Sequence, residues 1–202
     1  IYASSSSVYG QTTRLPLQEC MRPQPYSPYG VTKLAAEHLC MAYHRNYGLP
    51  VVALRYFTVY GPRQRPDMAL HHFCKAIIER EPLHIFGDGS QTRDFTFVSD
   101  IVEANLLAAT TQAALGEVLN IAGGVQTTLR AVLDLLQEIS GTRATLTYGQ
   151  PQHGDVQDTL GDISRATRLL GYIPHVTLRD GLTQQFAALA ESYARVADVI
   201  IR

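Results

Sequence analysis

Apolar positions along the chain change their period in a regular order. Ile1 to Ser4 reads as the end of a buried strand. Pro28 to Asn46 then follows a helical period, with Val31, Leu34, Leu39 and Ala42 as its apolar stripe and Gly48 in the stop position. The unbroken run VVALRYF at 51–57 suits a strand covered on both faces. After YGPRQRPD the pattern predicts a helix from Met68 to Arg80, a short strand LHIF at 83–86 and the turn GDGS. RDFTFV at 93–98 is the next strand, with Ser99 capping a helix through Thr110, and GEVLNIAG at 116–123 is another. Two more helices are predicted, at 128–140 and at 178–195, the first capped by Thr127 or Thr128 and stopped by Gly141. Strands and helices alternating at this spacing define an α/β chain with a parallel sheet and helices on its faces.

Composition narrows the function classes. With 202 residues, 46% of them hydrophobic, 17% charged and a net charge of −1, the chain can bury one good core and has no disordered or fibrous character. No run of Lys and Arg offers a footprint for nucleic acid or an anionic membrane. No apolar stretch approaches a membrane span, and the N-terminus reads as a strand rather than a signal segment, so the expectation is a soluble, cytoplasmic protein. Cys20, Cys40 and Cys74 show neither CxxC nor His-ligand spacing, which predicts free thiols and no metal site.

The serines of IYASSSSVYG acquire a meaning from this layout. In an open parallel sheet, ligands bind beyond the carboxyl ends of the strands, and Ser4 to Ser7 lie where the first strand ends. On the following helix, Tyr29 and Lys33 of YGVTK stand four residues apart and project from one face. A free phenol, with a pKa of about 10, is a poor base at neutral pH, and an ammonium within a few ångströms stabilises its phenolate. A serine hydroxyl at the neighbouring strand end can share a hydrogen bond with the same substrate oxygen. Such a trio moves a proton on or off a hydroxyl while a hydride goes elsewhere. Taken alone, the YxxxK spacing is weak evidence, since a half-buried tyrosine beside a solvated lysine has it too.

The combination of SSSSVYG, SPYGVTK, LRYFTVYGPRQRPDM and IFGDGSQTRDFTFVSDIVEA closely resembles the extended short-chain dehydrogenase/reductase family, specifically its NAD-dependent nucleotide-sugar epimerases and dehydratases. The resemblance runs from Ile1 to about Gly181. It implies the C-terminal part of a Rossmann-type parallel sheet plus a smaller α/β substrate-binding subdomain. Residues 1–63 would be the end of the NAD-binding domain. Residues 64–202 would mainly bind the sugar nucleotide, with 94–123 returning to the Rossmann domain.

By the same resemblance Ser5 matches the catalytic Ser/Thr, Tyr29 the base, and Lys33 the residue that also holds the nicotinamide ribose. Ser4, next to it, is easily mistaken for the catalytic serine. Tyr56 and Phe57 fall near the nicotinamide, and Thr58 where many members place an asparagine on the sugar or diphosphate. Phe86 matches a residue at the uracil, Arg93 an arginine on the diphosphate, and Asp155 an acid at the nucleotide ribose. A guanidinium suits a diphosphate because it binds two oxygens at once. Phe86 as a core residue, and Arg93 pairing with Asp94 or Asp88, are the structural alternatives.

Two departures from the family pattern matter. The strand, glycine-rich turn and helix that bind the cofactor pyrophosphate do not occur in these 202 residues, so the expectation is the C-terminal portion of a longer enzyme, inactive alone. Gln152 and His153 stand where many relatives place an arginine near the nucleotide.

The resemblance implies that Tyr29 takes the proton of the sugar C4 hydroxyl as hydride leaves C4 for NAD, giving a 4-keto intermediate whose reduction from the other face inverts C4. Dehydratases need an Asp-Glu pair directly after the catalytic residue; here those positions are Ser6 and Ser7, which favours epimerisation. Ser6, Ser7, Thr58 and Arg65 are similar to the residues around the substrate carboxylate in UDP-glucuronate 4-epimerases. A carboxylate entering a partly dry pocket needs such donors. The expected activity is UDP-glucuronate 4-epimerisation by a homodimer paired through the YxxxK helix. The alternatives are UDP-glucose 4-epimerisation and a truncated module that binds a sugar nucleotide or dimerises without turnover.

Overall fold

The computed structural model describes residues 1–12, 14–150 and 156–200, with side chains through residue 195. The chain forms two compact units. Unit 1 comprises Ile1–Val59, Thr92–Gln126 and the described part of 153–175; unit 2 takes Tyr60–Gln91 and the described parts of 127–152 and 176–202.

Unit 1 is built on a parallel sheet of β1 (Tyr2–Ser5), β2 (Ala53–Tyr56) and β6 (Val118–Ile121), in the order β1-β2-β6. Its register sets Ser4 beside Arg55 and Arg55 beside Asn120. Parity along 51–57 explains the unbroken apolar run. Val52 and Leu54 pack with Ile101, Ala104 and Ala108 of α3 (Val98–Thr110) and with Ala166 and Leu170 of α5 (Ser164–Leu170). Val51 and Ala53 instead pack with Met41 of α1 (Pro28–Tyr47). Each residue of β2 therefore alternates between two helical layers, as a strand side-chain period of two requires. β5 (Thr92–Phe97) lies between the short strands β3 (Thr58–Tyr60) and β7 (Gln126–Thr128) in a second ladder.

Helix α1 begins where its signals place it. The Ser27 side chain accepts a hydrogen bond from Gly30 N, Pro28 fills the first turn, and Gly48 ends the helix at φ 68°. Its buried face is not the predicted one. Gly30, Glu37 and Met41 are buried, whereas Val31 and Leu39 of the predicted stripe are exposed. The inward series contains a glycine and a glutamate, so hydrophobicity alone selects the wrong side of the cylinder. Ser99 is likewise no cap: α3 starts at Val98 with Phe97 before it and no side-chain cap, and Asp100 supplies the acid of its first turn. α5 and the strand β8 (Leu146–Gly149) were not predicted.

Unit 2 contains α2 (Ala69–Glu79), α4 (Leu129–Ser140), α6 (Leu178–Ile200) and a two-stranded parallel ladder of β4 (Leu83–Phe86) with β8. Leu83 and Ile85 are buried, as are Phe73, Ile77, Val132, Leu133 and Leu136 of the unit's helices, while His84 and Phe86 face out. Thr128 caps α4 by accepting from Ala131 N at 3.1 Å, and Gly141 stops it at φ 65°. Among the described residues, no helix is long and apolar enough to cross a membrane. Cys20, Cys40 and Cys74 are free thiols.

Candidate active site

The carboxyl end of β1 carries Ser5, and Ser6 and Ser7 follow in the next turn. Ser4 and Ser5 point to opposite sides of the sheet, and their fates differ accordingly. Ser4 is buried and its hydroxyl donates to Glu37 Oε2 at 2.6 Å. The Ser5 hydroxyl instead accepts from Ser7 N at 3.1 Å and lies 3.1 Å from Ser7 Oγ, capping a single tight turn over Ser6–Val8. That turn abuts the start of α1: a Cβ on Gly30 would stand 2.5 Å from the Ser7 carbonyl oxygen, so only glycine admits this approach.

Tyr29, in the first turn of α1, is 55% exposed. Lys33 lies one turn further on, with Nζ 5.6 Å from the Tyr29 ring centroid and 5.7 Å from that of Tyr2. The Lys33 ammonium donates to the Ala3 carbonyl at 2.8 Å, and the Tyr2 hydroxyl donates to the Lys33 carbonyl at 3.0 Å. An ammonium has three donors. One is committed to β1, which leaves the chemistry of this group suited to a ribose diol, the role that NAD would ask of it.

A cavity of about 140 Å3 opens beside the Ser6–Val8 turn. Ser6, Ser7, Thr58 and Arg93 line it together, along with Tyr26, Ser27 and Thr159. Gly10, at φ 69°, forms part of its wall, and a Cβ there would meet the Gln24 carbonyl oxygen at 1.8 Å. Arg93 is anchored through Nη1, which donates to the Thr92 carbonyl at 2.8 Å and the Gln157 carbonyl at 3.1 Å.

The anticipated carboxylate partners of Arg93 are occupied elsewhere. Asp88 accepts from Ser90 N at 2.9 Å. The buried Asp94 accepts from Gly123 N at 2.7 Å and from Gly124 N and Gly161 N at 3.1 Å each. Burial outweighs these donors and pushes the Asp94 carboxyl up to about 6. The arrangement draws two backbone segments, Gly123–Gly124 and the one carrying Gly161, onto β5, and Asp94 N itself donates to Thr159 Oγ1 of the cavity wall at 3.2 Å.

Tyr56 turns toward the α3 layer, where its hydroxyl donates to Asn105 Oδ1 at 2.9 Å, and burial raises its pKa. Phe57 is buried with Val8, Tyr9 and Leu17. In unit 2, Arg65 forms an exposed ion pair with Asp67 at 3.1 Å. Phe86 is no core residue: it is 45% exposed and meets His84 edge-on at 4.9 Å between centroids. Asp155, Gln152 and His153 lie outside the described residues.

Sequence reasoning passed over Glu37, Asp94, Tyr26 and Ser27. Glu37 had a visible signal, since 29, 33 and 37 repeat at four-residue spacing on one helix. Asp94 had none, because its glycine partners lie 29 to 67 residues away.

Unit 1 thus combines a parallel sheet with helices on both faces, a serine at a strand end and a Tyr/Lys pair on the next helix. Residues 1–122 match the NAD dependent epimerase/dehydratase family, and the chain belongs to that family. It is 45% identical over 193 residues to the uncharacterized UDP-glucose epimerase YtcB of Bacillus subtilis (strain 168), covering 96% of this chain and 61% of that protein. It is 40% identical over 186 residues to the UDP-glucuronate 4-epimerase of Thermodesulfobacterium geofontis (strain OPF15), covering 90% of this chain and 56% of that one. Among solved structures, the UDP-glucuronic acid 4-epimerase of Bacillus cereus, in complex with UDP-glucuronic acid and NAD, superposes with a TM-score of 0.91 at 47% identity, covering 95% of this chain and 61% of the other. The chain thus spans about 56–61% of the length of these relatives.

Proposed function

We propose that this chain carries the catalytic centre of an NAD-dependent UDP-sugar 4-epimerase acting on UDP-glucuronate. The carrying observation is the convergence of Ser6, Ser7, Thr58 and Arg93 on one cavity beside the end of β1. Three hydroxyls supply donors for a sugar carboxylate, and a guanidinium suits the diphosphate. Bound NAD supplies the hydride acceptor and donor at C4. Tyr29 takes the C4 hydroxyl proton and returns it after inversion, Lys33 holds the nicotinamide ribose and favours the phenolate, and Ser5 hydrogen-bonds the same substrate oxygen. Unit 1 accordingly serves the cofactor, the chemistry and, through this cavity, the sugar and its diphosphate, while unit 2 adds Arg65 and Phe86 to sugar-nucleotide recognition. For Tyr56 beside the nicotinamide, Arg65 on the carboxylate, Phe86 at the base and Asp155 at the ribose, the support is family resemblance. Ser6 and Ser7 lack the acid-base pair that dehydration requires.

The outer face of α1 supports a homodimer. Val31, Leu39, Tyr43 and Tyr47 are exposed there, with the two tyrosine rings 5.3 Å apart, and burying such a face against a second copy removes it from water. Three free thiols are consistent with a cytoplasmic setting.

The test is product formation. A protein of the relatives' full length carrying this chain, incubated with UDP-glucuronate and NAD+, should yield UDP-galacturonate, resolved by its anomeric proton signals. An unchanged substrate pool, with UDP-glucose also untouched, would overturn the reading.

A further inference from the structure

Glu37 is the most buried charged side chain on α1, 2% exposed, and lies one turn beyond Lys33 and two beyond Tyr29. Its carboxylate accepts from Ser4 Oγ at 2.6 Å, from Arg55 Nε at 3.0 Å and from Arg55 Nη2 at 2.5 Å. Ser4 and Arg55 are register partners on β1 and β2, so one carboxylate ties two adjacent strands to the helix. The thread continues beyond them. The Arg55 guanidinium stacks 4.8 Å above the Tyr9 ring, and the Tyr9 hydroxyl donates to Asn120 Oδ1 on β6 at 2.7 Å.

Burying an ion pair is expensive, and apolar residues of similar volume fill such a space with equal or better stability. Stability alone therefore does not account for it. Its location does. Residues 4–7 are all serine, so the strand end itself carries no apolar anchor ahead of Val8, which is buried three residues after Ser5. The bond from Ser4 to Glu37 supplies that anchor immediately before Ser5. The neighbouring bonds, from Tyr2 to the Lys33 carbonyl and from Lys33 to the Ala3 carbonyl, stitch the same strand to the same helix.

We propose that Ser4 and Glu37 are positioning residues for the reaction: their hydrogen bond fixes the end of β1 against α1 and so sets the Ser5 hydroxyl relative to Tyr29 and Lys33. The proposal rests on the reading of Ser5, Tyr29 and Lys33 as the catalytic set. Ser4 touches neither substrate nor cofactor in it, since its hydroxyl faces the helix layer. A displacement of well under an ångström at such a group is enough to slow a reaction that depends on a near-attack geometry.

The test is a double-mutant cycle of Ser4→Ala and Ser5→Ala in a protein of the relatives' full length carrying this chain, with kcat, KM for the sugar nucleotide and melting temperature read for each variant. Ser4→Ala is preferred to Glu37→Gln, which leaves the Arg55 charge buried without its partner and endangers folding. Ser5→Ala should lower kcat about 100-fold, and Ser4→Ala about tenfold with KM unchanged. The double variant should fall no lower in kcat than Ser5→Ala alone, because a residue that acts through Ser5 has nothing left to position. If Ser5→Ala is crippling while Ser4→Ala keeps wild-type kcat, or if the Ser4→Ala loss persists undiminished without Ser5, the positioning role is overturned and the catalytic reading stands. A Ser5→Ala variant with wild-type kcat would overturn both.

Discussion

The proposed site residues of the two units are held in different ways. In unit 1, several are fixed by the protein itself: Ser5 by Ser7, Lys33 by the Ala3 carbonyl, and Arg93 by the Thr92 and Gln157 carbonyls. In unit 2, Phe86 stands on the surface against one histidine ring, and Arg65 is held by an ion pair whose partners are 74% and 66% exposed. An exposed pair of that kind contributes little to order. The difference follows the division of labour proposed for them. Groups that move protons must be in place before the substrate arrives, because reorganising them during the reaction raises the barrier. Groups that recognise a base or a carboxylate can settle on the ligand as it binds. Changes to the proton-moving groups of unit 1 should therefore be felt in kcat, and changes to the recognition groups of unit 2 in KM.

The sharpest attempt to break this contrast is Tyr29→Phe, which keeps the ring and loses the proton acceptor. Turnover should drop by about 1000-fold or more with substrate affinity retained. Steady-state kinetics showing activity within tenfold of wild type would remove Tyr29 from its role.

Asp94 offers a second probe, through pH. Its pKa is raised from 3.8 to about 6 by burial, so protonation is favoured by folding. The stabilisation linked to that proton is fully present below the unfolded value and is lost as pH rises through about 6. A shift of this size corresponds to about 3 kcal/mol. Wild type should lose stability relative to Asp94→Asn between pH 4 and pH 7 by about that amount, measured as the difference in urea unfolding free energy. A parallel pair of pH profiles would show that the three glycine N–H groups hold the carboxylate ionised throughout.

Phe86→Ala tests the other side. Loss of an exposed aromatic platform should raise KM for the UDP-sugar about tenfold and leave kcat near wild type. A fall in kcat with KM unchanged would place Phe86 among the preset groups. The smallest effect belongs to a position with no part in the chemistry: Thr128→Ala removes the cap of α4 and should cost about 1 kcal/mol of stability, with both kinetic constants unchanged.

Local physics made much of this legible in advance. Gly48, Thr128 and Gly141 mark helix ends through interactions that reach at most four residues, and the run at 51–57 announces a strand buried on both faces. Failures occurred where a polar residue does a core residue's work. The inward face of α1 carries Glu37, which is tolerable there because Arg55 of β2, 18 residues on, pairs with it. α5 spans seven residues, too few for a period to show. In the cavity, Ser6, Ser7, Thr58 and Arg93 could be named because a family pattern singles them out. Tyr26, Ser27 and Thr159 enter through loops whose paths are set by contacts such as the close pass of Gly10 over Gln24.

The central claim is that the hydroxyl-lined cavity of unit 1 reads a carboxylate on the sugar. Its most direct test is a competition between UDP-glucuronate and UDP-glucose in a protein of the relatives' full length carrying this chain, comparing wild type with Thr58→Val. The account predicts a higher kcat/KM for UDP-glucuronate in wild type and a preference reduced about tenfold or more by the loss of the Thr58 hydroxyl. Equal or better use of UDP-glucose by wild type would contradict it and make the protein an ordinary UDP-hexose 4-epimerase.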